Sequence, residues 1–145
     1  MKKTLLFAVL ACLAMVFSGC CKEKRDLPKG INGGKIAASA KVWLEKMDKG
    51  LYEEWYDEAS QYFKETVDKE LWLNNLQKFR APFGESSKRK EINSFFDNKP
   101  ENSPEGEYVT IQYASVVHEK LVIIETVTFM KEEDGSWKIA GYYIK

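Results

Sequence analysis

Three short apolar runs in the last third of the chain most limit what it can fold into; they cover residues 105–113, 121–129 and 137–144. Each run is rich in β-branched and aromatic residues and is bounded by turn residues, which is typical of antiparallel strands. Asp134-Gly135 lies between the second and third runs and predicts a hairpin, because glycine accepts a positive φ without steric cost. This part of the chain predicts a sheet but specifies no reaction.

The residues before these runs have helical periodicity. Ile36, Ala40, Trp43 and Met47 recur on one helical face, and Gly50 is a natural cap, so a first helix is predicted to end there.

Two further helices are predicted. The same apolar spacing predicts a second helix over residues 51–62. A third begins near Thr66 or Asp68, either of which is a good N-cap, and ends before Pro82, because proline disfavours helix in the residue that precedes it.

Each predicted helix carries a tryptophan on its apolar face: Trp43, Trp55 and Trp72. The favoured interpretation is that they anchor the core, and stacking against a ligand is the alternative.

Residues 88–96 follow, where Arg89, Glu91, Asn93 and Phe95 alternate with the other residues as in a strand. Lys88-Arg89-Lys90 protects an exposed sheet edge or, as the alternative, contacts phosphate or lipid headgroups. Helices followed by strands predict an α+β domain, with about three N-terminal helices packed on a curved antiparallel sheet of about four strands.

The N-terminus is typical of an exported lipoprotein. Lys2 and Lys3 precede an apolar run over residues 5–17, which is shorter than the roughly 20 residues that span a bilayer. Phe17-Ser18-Gly19-Cys20 resembles a bacterial lipobox, with Phe17 in place of the usual leucine. We therefore expect a lipid on Cys20; an uncleaved anchor and cleavage without a lipid are the alternatives.

This assignment predicts three segments: a signal peptide (1–19), a lipidated tether (20–35) and a single α+β domain (36–145). Nothing acidic follows Cys20 directly, so by resemblance to other lipoproteins we expect attachment to the bacterial envelope on its periplasmic side, and to the outer membrane if the cell has one.

Composition excludes several classes of function. All three cysteines precede residue 22, so the domain has no disulfide, thiol nucleophile or cysteine-ligated metal. Lys2 and Lys3 are the only charged residues before Cys20, so the remainder carries 20 of the 22 basic side chains against 22 acidic ones, a net charge of −2. A nearly neutral domain does not attract nucleic acid. The single histidine, His118, is predicted at an exposed hairpin tip, and we expect neither a metal nor a cofactor.

Glu125 is the candidate site residue. Reading its strand by twos places Leu121, Ile123, Glu125 and Val127 on one apolar face, which should face the helices. A carboxylate there must be protonated, paired or beside a wet cavity, since burying it alone costs several kcal/mol.

Its candidate partner is Arg80, and Gln112, Tyr113 and Tyr142 could supply hydrogen bonds. Two interpretations stay open: a ligand or acid/base pocket, and a structural tie between sheet and helices.

The order of elements resembles the nuclear-transport-factor-two-like (cystatin-like cone) superfamily. More specifically, residues 37–145 are similar to the bacterial domain of unknown function 4019. The motifs that carry this resemblance are Trp43…Asp48-Lys49-Gly50-Leu51-Tyr52…Trp55, Trp72…Arg80…Gly84, Pro104-Glu105-Gly106-Glu107-Tyr108, and Glu125-Thr126-Val127…Asp134-Gly135-Ser136-Trp137…Gly141-Tyr142-Tyr143. The resemblance implies an exported protein with this fold and no assigned activity. Members of the superfamily often dimerise through the exposed sheet face, so a homodimer is an expected partner state.

Two hypotheses of function follow. The first is a lipid-anchored, non-enzymatic envelope domain that binds a protein or small ligand through the cavity of the cone or the sheet surface. The alternative is a small cofactor-free hydrolase or isomerase with Glu125 as acid/base, which would need Glu125 in a water-accessible cavity of a few hundred Å³.

Overall fold

The structure is a computed structural model that describes residues 27–145. The predicted signal peptide, the candidate lipidation site Cys20 and the first part of the predicted tether lie outside the described residues.

Four helices precede four strands, which confirms the predicted α+β class. The helices are α1 (Gly33–Asp48), α2 (Tyr52–Glu58), α3 (Gln61–Thr66) and α4 (Lys69–Phe79), and a 3-10 turn (Ala81–Phe83) follows them. The strands are β1 (Lys88–Asp97), β2 (Tyr108–Val117), β3 (Leu121–Lys131) and β4 (Trp137–Ile144).

The first helix begins earlier than predicted. Asn32 caps α1 by accepting a hydrogen bond from the Lys35 backbone N–H at 3.0 Å, and this cap holds Gly33 in the first turn. Leu27 and Ile31 pack against the core before the helix starts. The folded part of the chain therefore includes residues that the sequence assigned to the tether.

The predicted second helix is in fact two helices, because Ser60 interrupts it. Ser60 is extended (φ −59°, ψ 153°), and its hydroxyl accepts from the Phe63 N–H at 3.1 Å, which starts α3. Its own N–H donates to the Ile139 carbonyl at 2.7 Å. A contact with β4 thus breaks a helical pattern that local periodicity would continue.

The sheet has the strand order β1-β2-β3-β4, and every neighbouring pair is antiparallel. Its inner face packs on the helices, and its outer face does not. A bulge between Glu91 and Asn93 shifts the register of β1, so Arg89 points inward while Asn93 and Phe95 point outward. The simple alternation predicted for residues 88–96 is wrong beyond Glu91 for this reason.

β1 forms one edge of the sheet, as the edge interpretation of Lys88-Arg89-Lys90 requires. Lys88 and Lys90 are exposed there, whereas Arg89 is turned into the domain with its side chain 14% exposed. This segment is therefore not a uniform basic patch.

Aromatic side chains fill the space between helices and sheet. Trp55 lies 5.0 Å from Trp72 and 5.7 Å from Trp43, measured between ring centroids, and Phe63 contacts both Trp55 and Trp72. All three tryptophans are buried, as the core interpretation predicts. Within residues 27–145, none of the helices has the length and apolar character needed to cross a bilayer.

Candidate functional site

One polar network lies inside this otherwise apolar core, and Glu125 is at its centre. Strand alternation brings four of its members to the inner face of the sheet: Arg89 on β1, Ser115 on β2, Glu125 on β3 and Tyr142 on β4. Two helix ends complete it. Asp48 is the last residue of α1, and Arg80 is the C-cap of α4. The network therefore joins both layers of the fold.

Both carboxylate oxygens of Glu125 accept hydrogen bonds. Oε1 accepts from the Tyr142 hydroxyl at 2.7 Å and lies 3.4 Å from Arg80 Nε. Oε2 accepts from Ser115 Oγ at 2.5 Å and from Arg89 Nε and Nη2 at 3.0 and 2.9 Å. Both oxygens of this carboxylate are therefore bonded within the network.

Asp48 binds the outer side of the same two guanidinium groups. Arg80 Nη2 donates to its Oδ1 at 2.5 Å, and Arg89 Nη2 and Nη1 donate to Oδ1 and Oδ2 at 2.9 and 3.1 Å. Arg80 also donates through Nη1 to the Gly84 carbonyl at 2.8 Å and through Nε to Tyr142 at 3.0 Å. Two positive charges thus face two negative ones, and the network is neutral.

Because these side chains are buried, the balance of their charges affects the stability of the fold. Glu125 is 0% and Arg80 is 1% exposed. Taking such charges out of water costs several kcal/mol per ion, which only close pairing and further hydrogen bonds offset. Burial by itself would raise the pKa of Glu125, but the charge of Arg89, the hydrogen bonds from Ser115 and Tyr142 and the charge of Arg80 together lower it. Glu125 is therefore ionised at neutral pH.

The pKa of Tyr142 is shifted in the opposite direction. Burial and the adjacent Glu125 carboxylate raise the pKa of its phenol well above the ordinary value. The hydroxyl therefore stays protonated and acts as a hydrogen-bond donor to Glu125.

The structure brings together three of the five residues that the sequence singled out for this cluster, namely Glu125, Arg80 and Tyr142. Tyr113 lies opposite Glu125 in the β2–β3 register and is buried, but its hydroxyl has no hydrogen-bond partner among the described residues. Burial and then the nearby Glu91 raise its pKa to about 12.

Gln112 is separate from the network, because it precedes Tyr113 on the strand and so points to the outer face. Its amide contacts Asn93 and Thr126 there, both at 3.4 Å.

Sequence reasoning did not identify Asp48, Arg89 and Ser115 as members. Asp48 has one available signal: a carboxylate in the last turn of a helix is unfavourable next to the helix dipole and suggests a positive partner elsewhere. The sequence does not distinguish Arg89 from Lys88 and Lys90, which flank it in a run of basic residues. Nothing in the sequence identifies Ser115 as a network residue except its position in the inward and outward alternation of side chains along β2.

A cleft of about 920 Å³ lies elsewhere, where the turn between α2 and α3 meets the β3–β4 hairpin. Its lining includes Tyr62, Glu105, Met130 and Lys138, and none of the network residues. Met130 is five residues along β3 from Glu125, a distance of about 17 Å. The cleft therefore does not open onto the Glu125 carboxylate.

His118 lies in the turn between β2 and β3, as predicted, with Nε2 2.9 Å from the Pro82 carbonyl oxygen. Among residues 27–145 no group of three or more His, Cys, Asp or Glu side chains could hold a metal ion.

Comparison with known families gives one match. The family model described as "Protein of unknown function (DUF4019)" matches residues 39–142, which covers all the network residues. The chain therefore belongs to this family. The wider cone superfamily is compatible with the fold and stays a prediction. No curated protein and no solved structure matches the chain.

We predict that Glu125→Gln lowers the free energy of unfolding by about 3 kcal/mol or more, since it leaves two buried guanidinium groups with one counter-ion. Urea denaturation of the purified protein at pH 7 measures this. The matched control is Glu107→Gln, a half-exposed partner of Lys131, which should change the free energy by less than about 1 kcal/mol.

The difference between wild type and Glu125→Gln should depend on pH. The folded-state pKa of Glu125 lies below its unfolded value of about 4.3, so its contribution is complete above that value and is lost as pH falls through the folded-state pKa. A variant as stable as the wild type at pH 7 would contradict the structural role.

Proposed function

We propose that this member of the DUF4019 family is a lipid-anchored, non-enzymatic interaction domain of the bacterial cell envelope, and that the outer face of the sheet is its binding surface. The observation that carries the proposal is the composition of this outer face, whose middle is free of charge in a chain in which 30% of the residues are charged.

The outer face comes from the side chains that alternate with the core residues. In its middle all of them are partly exposed and none is charged: Asn93, Phe95, Thr110, Gln112, Ala114, Ile124, Thr126, Thr128 and Tyr143. Lys88, Lys90 and Lys138 lie at its margins. Depletion of charged residues in the centre is typical of the core of a protein interface.

The polar side chains on this face bond to one another. Thr110 and Thr128 are 3.1 Å apart through their hydroxyl oxygens, and Gln112 bridges between its neighbours on β1 and β3. A partner that covers the middle of the face therefore buries no charge, which removes the largest penalty in burying a polar surface.

The size of the face fits a weakly held partner, and the partner we propose is a second copy of this chain. Four strands about 4.8 Å apart, over about seven residues, present about 450 Å² in projection, or about 900 Å² for two copies. This is at the low end for specific interfaces. In a two-fold dimer the same face of each copy meets the other, so a single uncharged surface supplies both sides of the interface. A different envelope protein of similar surface is the alternative occupant.

The geometry around Glu125 supports binding over catalysis. A general acid or base needs a carboxyl group that reaches a substrate, with a pKa near the working pH. Glu125 is ionised, fully buried and bonded through both oxygens. Its role in this proposal is structural.

The lipid anchor rests on the sequence around Cys20. Residues 20–26 precede Leu27, the first described residue that packs against the core, and seven residues reach at most about 25 Å when extended, which would hold the domain close to a bilayer.

We predict that Cys20→Ser releases the protein from the membrane fraction when it is expressed in a bacterial host, because the variant has no thiol to acylate. Fractionation and immunoblotting measure this. Cys21→Ser is the adjacent control and should stay in the membrane fraction. Unchanged fractionation of Cys20→Ser would overturn the anchor.

We predict that wild-type protein shows a concentration-dependent dimer in sedimentation equilibrium, and that Thr126→Glu raises the dissociation constant at least about tenfold by burying two like charges in the interface. Ser39→Glu, on the exposed side of α1, is the control and should leave the dimer unchanged. A monomer at every concentration, or an unchanged dimer in Thr126→Glu, would exclude the outer face as a homodimer interface.

A further inference from the structure

We infer that Arg80 and Arg89 form a carboxylate-binding site at the end of the network nearest solvent, and that Asp48 fills this site as an intramolecular ligand. The site would accept a small external carboxylate when Asp48 is absent. This inference concerns the helix side of the sheet and is independent of the outer face.

The charges divide into an inner and an outer half. The inner half is Glu125, which compensates one of the two guanidinium charges from the fully buried side. Without Asp48, Arg80 and Arg89 would keep one uncompensated positive charge. The outer half is thus a site of net charge +1 that requires an anion.

The donors are already arranged for a carboxylate. Oδ1 of Asp48 receives one N–H from each arginine, and Oδ2 receives a second N–H from Arg89, so Arg89 holds the carboxylate in a bidentate manner. Planar guanidinium groups match the two oxygens of a carboxylate in this geometry. Glu125 and the Gly84 carbonyl fix both arginines from behind, so the donors are preorganised.

The site opens toward solvent on the Asp48 side. The side chains of Asp48 and Arg89 are 11% and 14% exposed, whereas those of Arg80 and Glu125 are 1% and 0% exposed. A small anion entering from solvent would meet Asp48 and Arg89 first and could not reach Glu125.

Local helix energetics do not explain an aspartate at this position. Asp48 is the last residue of α1, where the helix dipole disfavours a negative charge, and the exposed Lys49 and Gly50 follow it. The arginine pair is therefore what holds the carboxylate here. Asp48 behaves as a ligand supplied by the chain itself.

The test is chemical rescue of Asp48→Ala with sodium formate, which restores a carboxylate without the side chain that carried it. Formate replaces chloride at constant sodium concentration, and the unfolding midpoint is measured by circular dichroism. We expect the midpoint of Asp48→Ala to rise by about 3–6 °C and to saturate. If Asp48→Ala is unfolded without formate, formate-dependent refolding gives the same readout.

Three controls define the site. The wild type should need at least tenfold more formate for any response, because Asp48 already occupies the arginines. Asp57→Ala removes a surface carboxylate that pairs with Lys69 at 2.7 Å, and it should show no formate response. Adding Arg89→Lys to Asp48→Ala should abolish the rescue, since lysine lacks the bidentate geometry.

Three results would overturn the inference: equal effects of formate and chloride on Asp48→Ala, an equal formate response in the wild type, or a rescue that survives Arg89→Lys. Failure of these tests would leave the proposals for the outer face and the lipid anchor unaffected, since they depend on other residues.

Discussion

The fold depends on the cost of burying charge. Asp48, Arg80, Arg89 and Glu125 meet between the helices and the sheet, and each is stable there only because the others are in place. Such a network adds less stability than an apolar core of the same volume, but it penalises any packing in which one partner is missing. We infer that it fixes how the ends of α1 and α4 sit on the sheet.

The two faces of the sheet have opposite roles in this account. The inner face uses its polar groups on one another, and Glu125, the candidate acid/base, is bonded within the network through both of its carboxylate oxygens. The outer face holds threonine, glutamine and aromatic side chains with no charge in its middle, and these side chains are partly exposed. In the function proposed above, this outer face contacts another surface.

Local patterns in the sequence predicted the fold class, the strands and the burial of Glu125, because each depends on residues only two to four positions apart. The break at Ser60, the bulge in β1 and the pairing of Arg89 with Asp48 could not be predicted in this way. They depend on contacts between residues distant in sequence, such as Ser60 with Ile139 and Asp48 with Arg89. The bulge reverses which residues of β1 face the core beyond Glu91.

The structural role of Glu125 is tested most directly by titrating its carboxyl group, followed by its ¹³C chemical shift in selectively labelled protein. We predict that the carboxyl titrates below the ordinary glutamate range, because Arg89, Ser115, Tyr142 and Arg80 outweigh the effect of burial and stabilise its charged form. A midpoint of about 6 or higher would show a protonated carboxyl near neutral pH, as in a general acid, and would contradict the structural role assigned to Glu125.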